Sequence, residues 1–437
     1  MERSKKQIYL LLCIVLVLVG ILLLFYLNPS ILQNLPWLSS DEGEPPSVEQ
    51  PSGDENAGNE NGGEDQTDQN QSGQDHPDQN QPDQDQPGQD QPGQELPPED
   101  TPSNPDSPGE DVEDPRSAIV ELTGQYYTYT EMKQDMVHLY ARYPDLMSYG
   151  SYGVSADGRD LLCVTLGNPN APAQVLITSG MHAREYVNAF VVMRQLEYYL
   201  QNYETATYLG HPMRELFDEV CFVIVPMTNP DGITLAQEGL SSLRSEPLRQ
   251  MVRNICRSLG ITDDAAIDKY LNNYWKSNAN GVDLNRNFDA LWAEHYDGIG
   301  QPAVKNYKGE SPLSEYEAAY LTTLTESLSN PVASVCVHSQ GQIIYWRCFQ
   351  EGALEIQNRR LAELASSITG YSIIDENQAE PSFSNWTILE HGIPTITVET
   401  GIQGYPQNHA TMWEAIFDDI RDLWAALALE YGDFAKG

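Results

Sequence analysis

The sequence predicts an α/β fold for residues 117–437: a mixed central sheet with helices on both faces. Three observations predict it. Short apolar, β-branched runs alternate with stretches of helical periodicity. The runs end on polar residues and Gly, so chemistry-bearing side chains gather at strand ends, where open α/β sheets bind ligands. The segment is also about 320 residues long, enough for one substantial core.

In chain order, Arg3, Lys5 and Lys6 mark a short positive tail, residues 1–7, before Ile8 to Leu27. That run of about 20 residues without charge is long enough to cross a bilayer core of about 30 Å. Residues 8–27 therefore read as a transmembrane anchor, with the N-terminus cytoplasmic and the rest of this single-pass chain extracytoplasmic. A cleaved signal peptide is the rival reading. The run is longer than an h-region of about 7–15 residues, and neither Asn28-Pro29-Ser30 nor Leu35-Pro36-Trp37 suits cleavage.

Residues 39–115 change character. They are built from Gln, Asp, Pro, Gly, Asn and Glu, with an irregular repeat at Asp85-Gln86-Pro87-Gly88-Gln89 and Asp90-Gln91-Pro92-Gly93-Gln94. Apolar residues are too few to offset chain entropy, so this stretch reads as a disordered acidic tether. The chain's net charge is −40, and the tether supplies about half of it. From Ser117 on, about 40 acidic residues face about 20 basic ones, which argues against nucleic acid as a partner.

Within residues 117–437, helices are expected at Thr130–Tyr143, Tyr186–Asn202, Pro312–Ser329, Ala353–Ile368 and Met412–Tyr431. The runs Val175–Gly180, Val332–Val337 and Pro394–Val398 read as strands. Ala236 to Tyr274 is a polar-rich helical addition, expected at the rim of a cleft. His182-Ala183-Arg184-Glu185 falls where the first strand turns into a helix, His338 ends the second, and Glu399 ends the third. A bare His-x-x-Glu is most often a solvated pair. At a strand end, with a distant His at a second strand end, it matches a catalytic zinc set: three protein ligands and one open position.

Five stretches occur in a fixed order: Ser179 to Glu185, Val225 to Gly232, Gly281 to Phe288, His338-Ser339, and Thr397 to Gly401. Together they resemble the zinc metallocarboxypeptidases of the carboxypeptidase A type, over roughly Tyr126 to the C-terminus. Carboxypeptidase A is itself an established example of the two-His, one-Glu set. The resemblance implies one Zn2+ per catalytic domain, held by His182, Glu185 and His338, with Glu399 as general base. It implies that Asn285 and Arg286 hold a substrate's terminal carboxylate, the guanidinium fork suiting bidentate recognition. Asp283 would orient a metal-bound imidazole, and Arg184 would line the next subsite.

Two positions depart from that family. The Arg expected before Gly-Val-Asp falls at Ala279, leaving Lys276 or Asn278 to help stabilise the oxyanion. The substrate-closing Tyr falls, by ungapped count, at Asn377, and Tyr371 is the nearest candidate. Trp275-Lys276-x-Asn278, and His338-Ser339-Gln340-Gly341 followed by Ile344-Tyr345-Trp346, look like a bacterial branch similar to γ-D-glutamyl-meso-diaminopimelate peptidases. Ser384 matches the pocket floor; being neither acidic nor large, it argues against a pocket tuned to Lys or Arg. Trp386 and Tyr405 are further candidates for the pocket wall.

Cys163, Cys221 and Cys336 lie in apolar strand patterns and read as small buried hydrophobes, whereas Cys256 and Cys348 are open to pairing. His391 reads as a helix end, and His211, His295 and His409 as surface or cleft-rim residues. The reading that follows is a membrane-anchored, extracytoplasmic zinc metallopeptidase acting on peptidoglycan stem peptides. The alternative is a general metallocarboxypeptidase trimming extracellular peptides or proteins. A binding module that kept the fold is disfavoured by the complete ligand set and Glu399. Expected partners are a peptide or muropeptide substrate and, through the N-terminal run, the membrane; oligomeric state is left open.

Overall fold

The computed structural model describes residues 117–402 and 409–434, without the side chains of residues 409 and 410. The anchor at 8–27, the tether at 39–115, Tyr405 and the His409 side chain lie outside the described residues.

Eight strands form one sheet: β1 Met147–Val154, β2 Asp160–Leu166, β3 Ala173–Ser179, β4 Val220–Val225, β5 Pro331–Ser339, β6 Ile343–Tyr345, β7 Ser372–Ile374 and β8 Thr395–Thr400. Their spatial order is β1-β2-β4-β3-β5-β8-β6-β7. The central strands β4, β3, β5 and β8 run parallel, while β1-β2, β2-β4 and β8-β6 pair antiparallel. Every residue of β3 and β4 is buried, as a parallel strand covered on both faces requires.

Successive side chains of a strand point to opposite faces, and the core divides accordingly. Val175 and Ile177 of β3 join the larger core with Phe190, Leu196 and Trp424. Leu176, between them, joins a second core with Phe288, Leu321 and Phe383. Helices therefore cover both faces, as expected. The helix Tyr129–Arg142 opens on a capping box, Thr128 with Glu131, which satisfies two backbone donors at once.

Several boundaries differ from expectation for identifiable reasons. Met412–Tyr431 is two helices, His409–Ile420 and Leu423–Tyr431. At the break, Gln195 Nε2 donates to the Ile420 carbonyl at 2.6 Å and Tyr199 Oη to the Arg421 carbonyl at 2.6 Å. The helix expected at Pro312–Ser329 is shorter, Tyr316–Glu326. The addition at 236–274 builds a small core of its own from Leu240, Leu248, Val252, Ile267 and Leu271, closed by Trp275. Among the described residues none of it lines the main cleft, which corrects the rim expectation; instead it packs beneath Ala183. Cys256 belongs to that core, and all five described cysteines are free, so Cys256 and Cys348 are not paired. Trp386 packs against Phe288 and Phe383 rather than lining the cleft. His391 ends its helix, followed by Gly392 at φ 64°.

Candidate active site and metal centre

The chain leaves β3 through Gly180, whose φ is 63° and where a Cβ would stand 3.2 Å from the Met227 Cα. Only glycine meets both demands without strain. The Thr228-Asn229 segment then fixes the exit. The backbone N–H groups of Thr228 and Asn229 donate to the carbonyls of Ser179 and Gly180, both at 3.0 Å. Asn229 Nδ2 donates to the carbonyls of Met181 at 3.1 Å and Ser277 at 3.2 Å. This gives the Thr228-Asn229-Pro230 stretch a physical role: it clamps the His182 turn to the segment that carries Lys276.

His182 precedes a single helical turn, Ala183–Glu185, and His338 lies on β5, which runs parallel beside β3 with Val337 opposite Ser179. The three predicted metal ligands are thereby brought together and buried. His182 Nδ1 is 2.9 Å from Glu185 Oε1. His338 Nδ1 is 3.1 Å from Glu185 Oε2 and 3.2 Å from His182 Nδ1. His182 Nε2 lies 3.3 Å from Asp283 Oδ1. That carboxylate is itself oriented by the backbone N–H groups of Asn285 at 3.2 Å and Asn306 at 3.0 Å.

This donor set fits a zinc ion. With the His182 proton on Nε2 facing Asp283, Nδ1 offers a lone pair, and so does each Glu185 oxygen. Lone pairs converging in a buried space repel one another unless a cation lies between them. Burial alone would raise the Glu185 carboxyl, but the neighbouring His182, His338 and Lys276 outweigh it and hold the group well below its usual range. Asp283 behaves alike: burial opposes ionisation, and His182, Arg286 and Lys276 overcome it. His182, Glu185 and His338 thus form a potential metal-binding site made of anionic and neutral donors.

Beside it opens a cleft of about 190 Å³. Glu399 stands on its wall, since β8 runs parallel to β5 with Glu399 opposite His338. Enclosure by protein, and then the Glu185 charge, push its carboxyl up to about 7, against the pull of His338, Lys276 and Arg184. Asn285 and Arg286 line the same cleft. Asn285 Oδ1 accepts from the Phe383 N–H at 3.2 Å. Arg286 Nε donates to Asp297 Oδ2 at 3.3 Å, and His295 Nε2 lies 3.1 Å from that same oxygen. Arg184 is in the turn between the two ligands.

Of the two residues near Ala279, Lys276 lines the cleft and Asn278 does not. Ala279 is buried in the core of the helical addition. Asn278 turns away, its Nδ2 donating to Glu315 Oε2 at 2.7 Å. Lys276 lines the cleft, with Nζ 3.9 Å from Glu185 Oε1. Its carbonyl accepts from the Ala183 N–H at 3.2 Å, which anchors it against the metal-binding turn.

Tyr371, the candidate for the substrate-closing tyrosine, lies away from the cleft and is not among the residues that line it. It is 2 % exposed, belongs to the main core and donates through Oη to Asp419 Oδ2 at 2.8 Å. The tyrosine lining the cleft among the described residues is Tyr345, on β6 opposite Thr397. Ser384 does line the cleft, but so does the carboxylic residue Glu380, so the wall is not free of acid. Asp297, Tyr345 and Glu380 were missed as site residues. Tyr345 lay within a quoted motif, whereas nothing in local pattern distinguished the other two.

Comparison with known proteins agrees with this geometry. The family model for zinc carboxypeptidases, peptidase family M14, matches residues 132–410. Gamma-D-glutamyl-L-diamino acid endopeptidase 1 of Lysinibacillus sphaericus is 29% identical over 281 residues, covering 63% of this chain and 66% of that protein. Carboxypeptidase A2 of Mus musculus is 25% identical over 224 residues, covering 51% of this chain and 46% of that one. The chain thus spans about two thirds or less of the length of these curated relatives. In fold, thrombin activatable fibrinolysis inhibitor superposes with a TM-score of 0.56 at 19% identity, over 74% of this chain and 83% of that one. With a buried two-His, one-Glu centre at parallel strand ends and a family match spanning most of the described residues, this chain belongs to the zinc carboxypeptidase family, hydrolases acting on peptide bonds.

Proposed function

We propose that the protein is a membrane-anchored, extracytoplasmic peptidase that cuts peptidoglycan stem peptides at the bond between γ-D-glutamate and a diamino acid. One observation carries the hydrolytic part: Glu399 stands opposite His338 in strand register, on the wall of a cleft that opens beside the three ligands. The choice of bond is supported by the activity for which the Lysinibacillus sphaericus relative is named and by the Lys276 and Ile344-Tyr345-Trp346 pattern. The anchor rests on the apolar run at 8–27. Among the described residues no helix is long and apolar enough to cross a membrane.

His182, Glu185 and His338 would hold the zinc ion, which would supply a Lewis acid and lower the pKa of a bound water to about 7. The chain's own groups do the rest. Ionised Glu399 takes the proton of the attacking water and returns it to the leaving amine. Lys276 supplies positive charge where the carbonyl oxygen becomes anionic, in a site where one such donor is worth about 10²–10³ in rate. Asn285 and Arg286 hold a free carboxylate, and Asp297 fixes the guanidinium that does so.

The test is product identification by mass spectrometry, with zinc-loaded protein incubated with purified muropeptides and with ordinary C-terminally free peptides. The expected result is cleavage after γ-D-glutamate. Trimming of single residues from ordinary peptides alone would replace this reading with a general metallocarboxypeptidase. Zinc binding without any product would return it to a binding module.

A further inference from the structure

Behind the site lies a set of polar side chains that no step above uses. Ser339 follows His338 at the end of β5, and Thr400 follows Glu399 at the end of β8. The two stand opposite each other in the parallel ladder, one step beyond the His338 and Glu399 pair. Successive side chains of a strand alternate in face, and neither hydroxyl residue lines the cleft. Both meet Asn188, in the first turn of the helix Val187–Asn202. All three residues are buried.

Asn188 Nδ2 donates to Ser339 Oγ at 2.9 Å, and Thr400 Oγ1 donates to Asn188 Oδ1 at 2.6 Å. Ser339 Oγ and Thr400 Oγ1 are 3.1 Å apart. An amide oxygen only accepts, so the Thr400 proton is used on it and Ser339 supplies the proton of the third bond. The three bonds close a ring in which each side chain donates once and accepts once. Thr400 Oγ1 is also 3.1 Å from the His338 carbonyl, and the Ser339 N–H donates to Glu185 Oε2 at 3.1 Å. A neutral hydrogen bond adds little net stability, and apolar side chains would fill the same space without the risk of an unpaired group. What a fully satisfied buried ring supplies is a single arrangement of the elements it joins. Here those elements carry the metal ligands and Glu399.

We propose that Asn188 is a positioning residue for the base: by tying Thr400 to Ser339 it holds Glu399 in fixed register with His338 and Glu185. Asn188 touches neither substrate nor metal, and acts through the strand end that carries Glu399. This role rests on Glu399 being the base proposed above, and not on the choice of scissile bond.

The experiment is a double-mutant cycle between Asn188→Leu and Glu399→Gln in the full-length, zinc-loaded protein. It reads kcat and KM on the muropeptide or ordinary peptide that wild type cleaves, with zinc content determined on every variant. Leu branches at the same atom as Asn but makes neither ring bond. Asn188→Leu is expected to lower kcat by about 10–100-fold, the cost of a misplaced reacting group, at unchanged KM and one zinc per chain. In the Glu399→Gln background the same substitution should cost almost nothing further, because residues that act as a unit are not additive. Thr400→Val should repeat the loss from the other side of the ring, and Thr400→Ser, which keeps the hydroxyl, should retain the wild-type rate. If Asn188→Leu does not fold, Thr400→Val takes its place in the cycle. An undiminished rate, a loss of equal size in both backgrounds, or a loss explained by missing zinc overturns the proposal. Wild-type turnover by Glu399→Gln alone would refute the base assignment first, and this role with it. A crystal structure of Asn188→Leu decides the matter without turnover. The Glu399 carboxylate should be displaced or spread over several positions while His182, Glu185 and His338 keep theirs; an unmoved Glu399 overturns the proposal.

Discussion

The floor and the wall of the cleft are built differently. On the floor, His182, Glu185, His338 and Asp283 are 5%, 2%, 3% and 0% exposed. His182, Glu185 and His338 sit at or beside the ends of central strands whose register fixes them, and Asp283 caps the turn Leu284–Arg286. On the wall, Lys276, Arg286, Tyr345 and Glu380 are half-buried and come from loops, a single helical turn or a short strand, separated by up to about 100 residues. Floor positions are set by the sheet, and wall positions by how each loop is tied down. The difference teaches that the sheet fixes the metal centre, while each loop sets its own part of the wall, so the wall is where substrate contacts are free to differ.

The largest effect should come from breaking the floor. His338→Ala removes one of three ligands. Elemental analysis is expected to find zinc lost and peptide cleavage reduced to background; zinc at full stoichiometry with normal turnover would remove His338 from the centre. On the wall, Lys276→Ala should lower kcat by about 10²–10³ while zinc content stays at one per chain, with Lys276→Arg recovering part of the rate. Loss of zinc in Lys276→Ala would instead move this residue to the floor, as its 3.9 Å approach to Glu185 allows.

Asp283→Asn sharpens the boundary from below. The carboxylate orients His182 without facing the cleft, so chelator competition should show zinc affinity weaker by about 10–100-fold, with KM unchanged in the loaded enzyme. The smallest effect belongs to Asp297→Asn. It frees the Arg286 guanidinium, and steady-state kinetics should show KM raised by about 3–10-fold at nearly constant kcat, the mark of lost ground-state binding. An equal fall in kcat would place Asp297 in the chemistry instead.

The same division explains what could be read from sequence. The strand runs at 175–180, 332–337 and 394–398 carry dense β-branched signals, and all three occur, so His182, His338 and Glu399 were legible at their ends. Lys276 was named but not separable from Asn278, because only the tertiary bond of its carbonyl to Ala183 decides which side chain faces the cleft. Tyr371 was misplaced because an ungapped count through a loop of unknown length cannot track a side chain. The helix break at Arg421 was hidden for a related reason: the groups that take the freed carbonyls, Gln195 and Tyr199, lie more than 200 residues away.

Glu399 acting as a base beside the metal centre is the central claim. The decisive measurement is kcat/KM on muropeptide against pH, for the full-length protein and Glu399→Gln, with zinc content determined on both. Burial and the Glu185 charge raise this carboxyl to about 7, and a bound cation draws it lower. As the base must be ionised, wild-type activity should fall as pH drops through an acid limb at or below about 7. Glu399→Gln should keep one zinc per chain, lose about 10²–10⁴ in kcat and show no such limb. A variant that retains zinc, the wild-type rate and the wild-type acid limb would contradict the account.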